Sequence, residues 1–343
     1  MTQFDTALEY RKKYGWEIPT KTLARIMHQE KPEQFHNIEA ARSALRHIEG
    51  KSKGTTAMVA EHIRSQVPES ARAERPRNPY NLPASYEKAQ PMYRWPKDAN
   101  EVLLISDLHV PYHSIGAITV ALDYAKENDI NGILILGDFI DNHNISRFEK
   151  DPSKRSVIQE LKAGRAFLEA LRDAFPDAKI AWAYGNHDVR YEHYLRRQAP
   201  ELFEDPYYHL HQRLDLENLD IEWLNDKTVI RLGKLHAAHG HHVVRGIFAP
   251  VNPARGAFTK AKDNIVIGHL HNPSHHNEVT MSGKIIGAWS LGCLCQLRPD
   301  YSPQTGNSQH GFAHVTLEEG GGFFFRNFKV IEKKKGEFSA YPC

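Results

Sequence analysis

The chain is 343 residues long, 41% hydrophobic and 25% charged, with a formal net charge of +2. That length is enough for one large domain plus a smaller one, and the composition is that of an ordinary soluble protein. No stretch approaches the ~20 consecutive apolar residues of a membrane span, the N-terminus has neither a basic leader with an apolar core nor a small-residue cleavage site, and Cys293, Cys295 and Cys343 are too few for a disulfide framework; the expectation is a cytoplasmic protein with no membrane partner.

Residues 1–53 read as a helical domain. Asp5 is placed to cap a first helix running towards Tyr14, Thr20 or Thr22 a second through Leu23, Ile26 and Met27, and Pro32 opens a third. In the third, Ile38, Ala41, Leu45 and Ile48 fall on one stripe while Arg42 and Arg46 share another face, and Gly50 ends it. Two short helices with arginines on the second, followed by Lys51 and Lys53, resemble a helix-turn-helix module. The expected partner is therefore nucleic acid, DNA first, with Asn37, Arg42 and Arg46 as candidate bidentate base contacts. The charge agrees only mildly, with 10 Lys+Arg against 7 Asp+Glu in residues 1–53. The competing account is a three-helix bundle that docks on the catalytic domain or on a second copy, as in a homo-oligomer.

Residues 54–99 follow as a connector. Pro68, Pro76, Pro79, Pro83, Pro91 and Pro96 interrupt any long helix, although residues 56–66 could form helical turns, and Tyr80, Tyr86, Tyr93 and Trp95 suggest that part of the segment lies against the next domain. From residue 100 to 332 the pattern is strand, loop, helix: 102–106, helix 115–127, 132–136, helix 157–174 and 179–184, which implies parallel βαβ units. Shorter strands follow at 221–224, 228–232, 235–238, 264–267, 284–289, 312–317 and 323–330, which implies a mixed sheet. Residues 141–155 form a long polar loop suited to a substrate rim, and 333–343 are left as a C-terminal tail.

Five blocks supply metal-ligand side chains where the apolar runs end: Asp107-Leu108-His109, Gly137-Asp138, Gly185-Asn186-His187-Asp188, His239-Gly240 and Gly268-His269-Leu270-His271. Two divalent cations roughly 3.5–4 Å apart can stabilise both the attacking and the leaving oxygen of a displacement at phosphorus. Asp138 is the natural bridge between them, since Gly137 lets metal and substrate approach the backbone. Oxygen and imidazole donors without thiolates suit manganese, the working assignment, or iron, zinc, cobalt or nickel. Cys293-Leu294-Cys295 reads as buried small hydrophobes on a strand ahead of a soft-metal pair. Alone, the first block reads as a capped turn and the last as a surface loop; the ordered set of five carries the metal reading.

As an ordered set these blocks resemble the calcineurin-like metallophosphoesterase superfamily, whose pattern runs D-x-H, G-D, G-N-H-D/E, H and G-H-x-H; the match covers about residues 100–330. The resemblance implies an α/β fold, a two-sheet sandwich flanked by helices with metals at the strand ends. It places Asp107, His109, Asp138 and His271 around one metal and Asp138, Asn186, His239 and His269 around the other. In the crowded fourth block it favours His239, with His241 the alternative. It leaves His187 unligated, to stabilise the transition state or protonate the leaving oxygen, with Asp188 orienting its ring. A helical N-terminal reader joined to such a domain is similar to bacteriophage-encoded proteins.

Phosphoprotein phosphatases of this superfamily carry arginine directly before G-N-H and after the second aspartate of G-D-x-x-D; here those places hold Tyr184 and Asn142. Without both guanidinium clamps a terminal phosphate dianion is gripped poorly. The expected activity is therefore phosphodiester cleavage, as a nuclease acting on DNA through a metal-bridging hydroxide, with the N-terminal helices delivering the substrate. A small-molecule or nucleotide phosphoesterase is the alternative, and a DNA-binding protein with an inactive phosphoesterase domain the second. Arg190, Arg196 and Arg197 read as the exposed face of a helix ahead of contacts to a polyanion.

Overall fold

The computed structural model describes residues 2–51, 80, 82–83, 87, 90–146, 156–244, 251–298 and 306–343. The expected turns at 56–66, Lys53, Tyr86 and the 147–155 part of the rim lie outside these. The chain divides into two compact units, Met1–Lys88 and Ala89–Cys343.

In the first unit, α1 (Gln3–Tyr14), α2 (Thr20–Glu30) and α3 (Ile38–Ile48) enclose Ala7, Tyr10, Leu23, Met27, Phe35, Ala41, Leu45 and Ile48. The caps differ from expectation. Thr2, not Asp5, caps α1: its hydroxyl accepts from the Asp5 amide at 3.2 Å, and the Asp5 carboxylate accepts from the Thr2 amide at 2.8 Å, a reciprocal box. Neither Thr20 nor Thr22 caps α2, which starts after Pro19, because the Thr20 hydroxyl is drawn to Glu49 at 2.8 Å. The third helix starts at Ile38 and not at Pro32, because the Asn37 side chain caps it by accepting from the Ala40 amide at 2.8 Å.

One buried ion pair ties α1 to the end of α3. The Arg11 guanidinium donates to Glu49 through Nε at 3.0 Å and again through Nη2, and its Nη1 donates to the Ile18 carbonyl at 2.8 Å. Burial pushes the Glu49 carboxyl up, but hydrogen bonds from Lys51, Thr20 and Arg11 outweigh it and hold the group below its ordinary value.

The second unit is a two-sheet α/β sandwich. The larger sheet contains β2 (Glu101–Ile105), β3 (Gly132–Leu136), β4 (Lys179–Ala183) and β5 (Ile221–Leu224) in parallel order, extended beyond β2 by antiparallel β11 (His310–Leu317), β12 (Phe323–Lys334) and β13 (Glu337–Pro342). The smaller sheet runs β1 (Tyr93–Arg94), β6 (Ile230–Leu232), β7 (Leu235–Ala238), β8 (Ile265–Ile267), β10 (Ile285–Ser290), β9 (Ser274–Val279). Period-two alternation divides the central strands between two cores. Leu104, Leu134, Leu136 and Ala181 pack against Ile230, Leu235, Ala237 and Val266 between the sheets. Leu103, Ile105, Ile133, Ile135, Ile180 and Trp182 face the other way, against α4 (Ile115–Glu127) and α5 (Val157–Ala174). Burial on both faces is why these strands read as continuous apolar runs.

Three strands were not expected. Residues 333–343 are not a free tail: after a turn at Gly336, β13 pairs with β12, and Phe338 and Ala340 pack on the helix-side core. Its lysine-rich approach masks it, as charge on an edge strand commonly does. The end of the proline-rich connector joins the smaller sheet as β1, with the Tyr93 hydroxyl donating to Glu222 at 2.5 Å. The polar β9 is an edge held by antiparallel pairing with β10.

Replacing Glu49 with alanine strands the Arg11 charge in the core of the helical unit, with an expected loss of about 3–5 kcal/mol. In the full chain this is read as reduced hydrogen-exchange protection of α1 and α3; unchanged protection would show the pair to be dispensable. Because the folded unit holds Glu49 more acidic than the unfolded chain does, its contribution is present above the ordinary glutamate pKa of about 4.3 and disappears as pH falls through the lower folded value.

Candidate metal centre

Parallel strands present their carboxyl ends on one side of a sheet, and the five blocks follow β2, β3 and β4 of the larger sheet and β7 and β8 of the smaller. Backbone hydrogen bonds lace the ends together: the Asp107 amide to the Gly137 carbonyl at 3.0 Å, the His109 amide to the Asp138 carbonyl at 3.0 Å, and the Gly268 amide to the His239 carbonyl at 3.0 Å. Added β-carbons would strike the Asp138 carboxylate from Gly185, the His239 ring from Gly137, and Ser106 and Asp107 from Gly268. Glycine in these blocks is a clearance requirement. Asp107, His109, Asp138, His269 and His271 all have φ between 50° and 70°, a backbone state few non-glycine residues adopt.

The side chains converge in two groups that share Asp138. In the first, Asp107 Oδ1 lies 3.1 Å from His271 Nε2, His109 Nε2 lies 3.4 Å from His271 Nε2, and His109 Nε2 lies 4.0 Å from Asp138 Oδ2. In the second, His239 Nε2 lies 3.1 Å from Asp138 Oδ2 and 3.2 Å from Asn186 Oδ1, and ligand atoms of Asp138, His239 and His269 all fall within 4.8 Å of one another. The structure thus gathers every residue of the expected ligand set. His241 turns instead to Asp226 at 3.4 Å, and His236 to the Asn264 carbonyl at 3.1 Å.

Charge explains what such a cluster needs. Asp107 and Asp138 are fully buried, which pushes their pKa up, yet the surrounding histidines hold both well below the usual carboxylate range. His239 is pulled down by burial but carried up to about 9, chiefly by Asp138 and Asp107. His269 goes the other way, down to about 4 through burial and then His239, and its Nδ1 has no hydrogen-bond partner among the described residues. The His239 Nδ1 is anchored on the Leu136 carbonyl at 2.8 Å and the His109 Nδ1 on Asp141 at 2.9 Å. His239 thus turns its Nε2 to the Asp138 and Asn186 oxygens, while His109 turns its Nε2 to the Nε2 of His271. Lone pairs facing lone pairs require a proton or a cation between them, and this mixture of imidazole, carboxylate and amide donors fits divalent metal ions.

The expected role of Asp188 is not what the structure gives. Its buried carboxylate accepts from the Gly185 amide at 2.6 Å, the Ile140 amide at 3.0 Å and the Trp182 indole at 3.3 Å, and burial followed by the Asp138 charge raises it to about 7. It pins the loop and does not touch the His187 ring. Asp141 orients that ring: His187 Nδ1 lies 2.9 Å from the Asp141 carbonyl and 3.0 Å from its carboxylate, which also holds His109. The G-D-x-x-D spacing is the sequence signal for it. Arg190 reaches into the site as well, with Nη2 2.9 Å from His187 Nε2 and Nη1 donating to the Asp141 carbonyl at 3.0 Å. Arg196 stacks on Phe203 and Arg197 donates to the His193 carbonyl. A thiol also stands near the first group: Cys295 has Sγ within 4.8 Å of ligand atoms of His109 and His271, and a hydrogen bond with Cys293, then burial, keeps it protonated far above the usual thiol range.

Residues 101–293 match the calcineurin-like phosphoesterase family, so the chain belongs to that family and is a metal-dependent phosphoesterase, a hydrolase of phosphate esters. It is 26% identical over 232 residues to the Gene 54 protein of Mycobacterium phage L5, covering 64% of this chain and 90% of that one, and 24% identical over 232 residues to the Gene 54 protein of Mycobacterium phage D29, with the same coverage. Among solved structures it is similar to Vps29 of Chaetomium thermophilum, at 14% identity and a TM-score of 0.37 over 71% of this chain and 95% of that chain. It is also similar to YfcE, a phosphoesterase from E. coli, at 16% identity and a TM-score of 0.31 over 65% of this chain and 96% of that chain.

Since Asp141 fixes two rings at once, Asp141→Asn is expected to weaken divalent-metal affinity by about 10–100-fold in a titration of metal-stripped protein. Affinity equal to that of the wild type would remove Asp141 from this role.

Proposed function

We propose that the chain is a dinuclear phosphodiesterase that cleaves DNA, with manganese as the working metal and iron, zinc, cobalt or nickel as alternatives. The observation that carries the reading is Asp138, a carboxylate within reach of both donor groups. Asp107, His109, Asp138 and His271 would hold one ion and Asp138, Asn186, His239 and His269 the other. Paired divalent cations supply an acidified water and neutralise charge building on a phosphoryl centre.

The remaining roles belong to the protein. His187, with Nε2 3.9 Å from Asp138 Oδ2, stands beside the centre as the group that assists the leaving oxygen, its Nδ1 held by Asp141. Arg190 occupies His187 Nε2; moving its guanidinium onto a phosphate oxygen would free that nitrogen. The clamp positions of the monoesterases bring no positive charge here. Tyr184 is buried, and Asn142 donates to the carbonyl of His187 at 3.1 Å. One guanidinium matches the single negative charge of a diester better than the two of a terminal phosphate.

The DNA assignment rests on the N-terminal helices. Arg46 is exposed on α3 and Arg42 partly so, paired with Glu39 at 3.2 Å across a solvated surface. Asn37 is withdrawn from the bidentate role, since its carbonyl oxygen is committed to the α3 cap. The loop 31–37 between α2 and α3 is longer than the turn of about 3–4 residues in a helix-turn-helix.

Labelled single- and double-stranded DNA and RNA, incubated with the full chain across a panel of divalent ions, test the proposal. DNA cleavage supports it. Hydrolysis of a chromogenic diester or monoester with DNA left intact favours the small-molecule phosphoesterase, and DNA binding without any hydrolysis after metal is restored favours an inactive domain. His187→Ala is expected to keep its metal while turnover falls by about 10²–10⁴-fold, whereas Asp138→Asn should lose metal stoichiometry itself. Arg46→Ala should weaken DNA binding and lower its salt dependence by about one counterion; an unchanged salt slope would detach α3 from DNA.

A further inference from the structure

A second cluster of ligand atoms lies in the helical segment that follows the third block. There α6 (Val189–Gln198) carries Glu192, and a helical turn, Leu210–Arg213, begins beside His209 and contains His211. One ligand atom from each of Glu192, His209 and His211 falls within 4.8 Å of the other two.

The second contacts of these groups are the ones a metal ligand needs. Glu192 Oε1 accepts the Leu210 amide at 3.0 Å, which fixes the carboxylate and leaves Oε2 buried with no hydrogen-bond partner among the described residues. His209 Nε2 sits 2.9 Å from the Phe203 carbonyl, so Nε2 carries the proton and Nδ1 keeps its lone pair. The His211 ring stacks on Trp223 at 4.3 Å between centroids and 11° between planes, and its Nδ1 is likewise buried without a partner. A buried hydroxyl stands close by: Tyr184, a residue 3% exposed, faces the His211 backbone, and the Glu192 carboxylate acts on it electrostatically. Buried polar atoms are rarely left unpaired, and two of them, Glu192 Oε2 and His211 Nδ1, beside a second imidazole point to something between them.

We propose that Glu192, His209 and His211 form a separate site for a single zinc-like divalent cation, with an open fourth position on the Tyr184 side. Zinc takes imidazole nitrogen at about 2.0–2.1 Å and carboxylate oxygen at about 2.0–2.2 Å in tetrahedral array, so the three atoms need only draw in by roughly an ångström. The ion fastens α6 to the 209–213 turn. Because α6 also carries Arg190 at His187, this cation steadies the guanidinium without touching substrate. The competing occupant is a bridging water.

The test uses full-length protein carrying Asp138→Asn to disable the main centre. After zinc loading and desalting, elemental analysis is expected to give one zinc more per chain in this background than after adding Glu192→Gln or His211→Asn. Cobalt loading should give visible bands of tetrahedral intensity that the added substitutions abolish. Zinc should also slow hydrogen exchange across 189–214 in the Asp138→Asn chain, and His211→Asn should remove that protection. Equal zinc content in all three proteins, with exchange across 189–214 unchanged by zinc in the Asp138→Asn chain, would leave only a bridging water and overturn the site.

Discussion

Two carboxylates withdrawn from water, Asp107 and Asp138, set the terms for everything around them. Stripping an ion of its hydration costs several kcal/mol even after relaxation, and the cost is recovered only by opposite charge and by hydrogen bonds to the remaining lone pairs. Asp107 receives the Ser106 hydroxyl at 2.5 Å and the His269 amide at 2.9 Å, and Asp138 receives the His187 amide at 2.7 Å. Those bonds join the block after β8 to the one after β2, and the block after β4 to the one after β3. The electrostatic demand that draws in cations is thus also what closes the two sheets over one another at this end. Cation binding and the folding of these loops are coupled.

The third block gathers several duties into a short piece of chain. Asn186 faces His239, the His187 ring lies against Asp141, and Asp188 locks the turn from beneath. The chain then enters α6, which returns Arg190 to the site and turns Glu192 away from it. Tyr184 brings no charge immediately before the glycine, and the guanidinium beside this block is Arg190, from the first turn of the following helix, which meets His187 and the Asp141 carbonyl. The site therefore has a guanidinium that the alignment of blocks alone does not reveal.

Much of this was legible in the sequence because the central strands are buried on both faces and end at glycine. Such runs have sharp edges, and the ligand blocks sit on those edges. Asp141 was signalled only by the G-D-x-x-D spacing, and the role of Asp188 was not legible. The family resemblance suggested Asp188 as the partner of His187, but the turn sends that side chain under the loop, where it accepts the Ile140 and Gly185 amides. The helix caps failed for a related reason: Thr20 answers to Glu49, distant in sequence and near in space. β13 was missed because its pairing with β12 and the packing of Phe338 are tertiary facts, while a run of lysines precedes it and a proline ends it.

The left-handed backbone at Asp107, His109, Asp138, His269 and His271 has one more implication. At each of these positions glycine would fold with less strain, since only a side chain makes that conformation expensive, at about 1–3 kcal/mol apiece. A chain optimised for thermal endurance alone would discard all five. That they stand here as aspartate and histidine makes the cleft a spring held under load, with the restraint supplied by bonds such as the His109 amide to the Asp138 carbonyl and the His269 amide to Asp107.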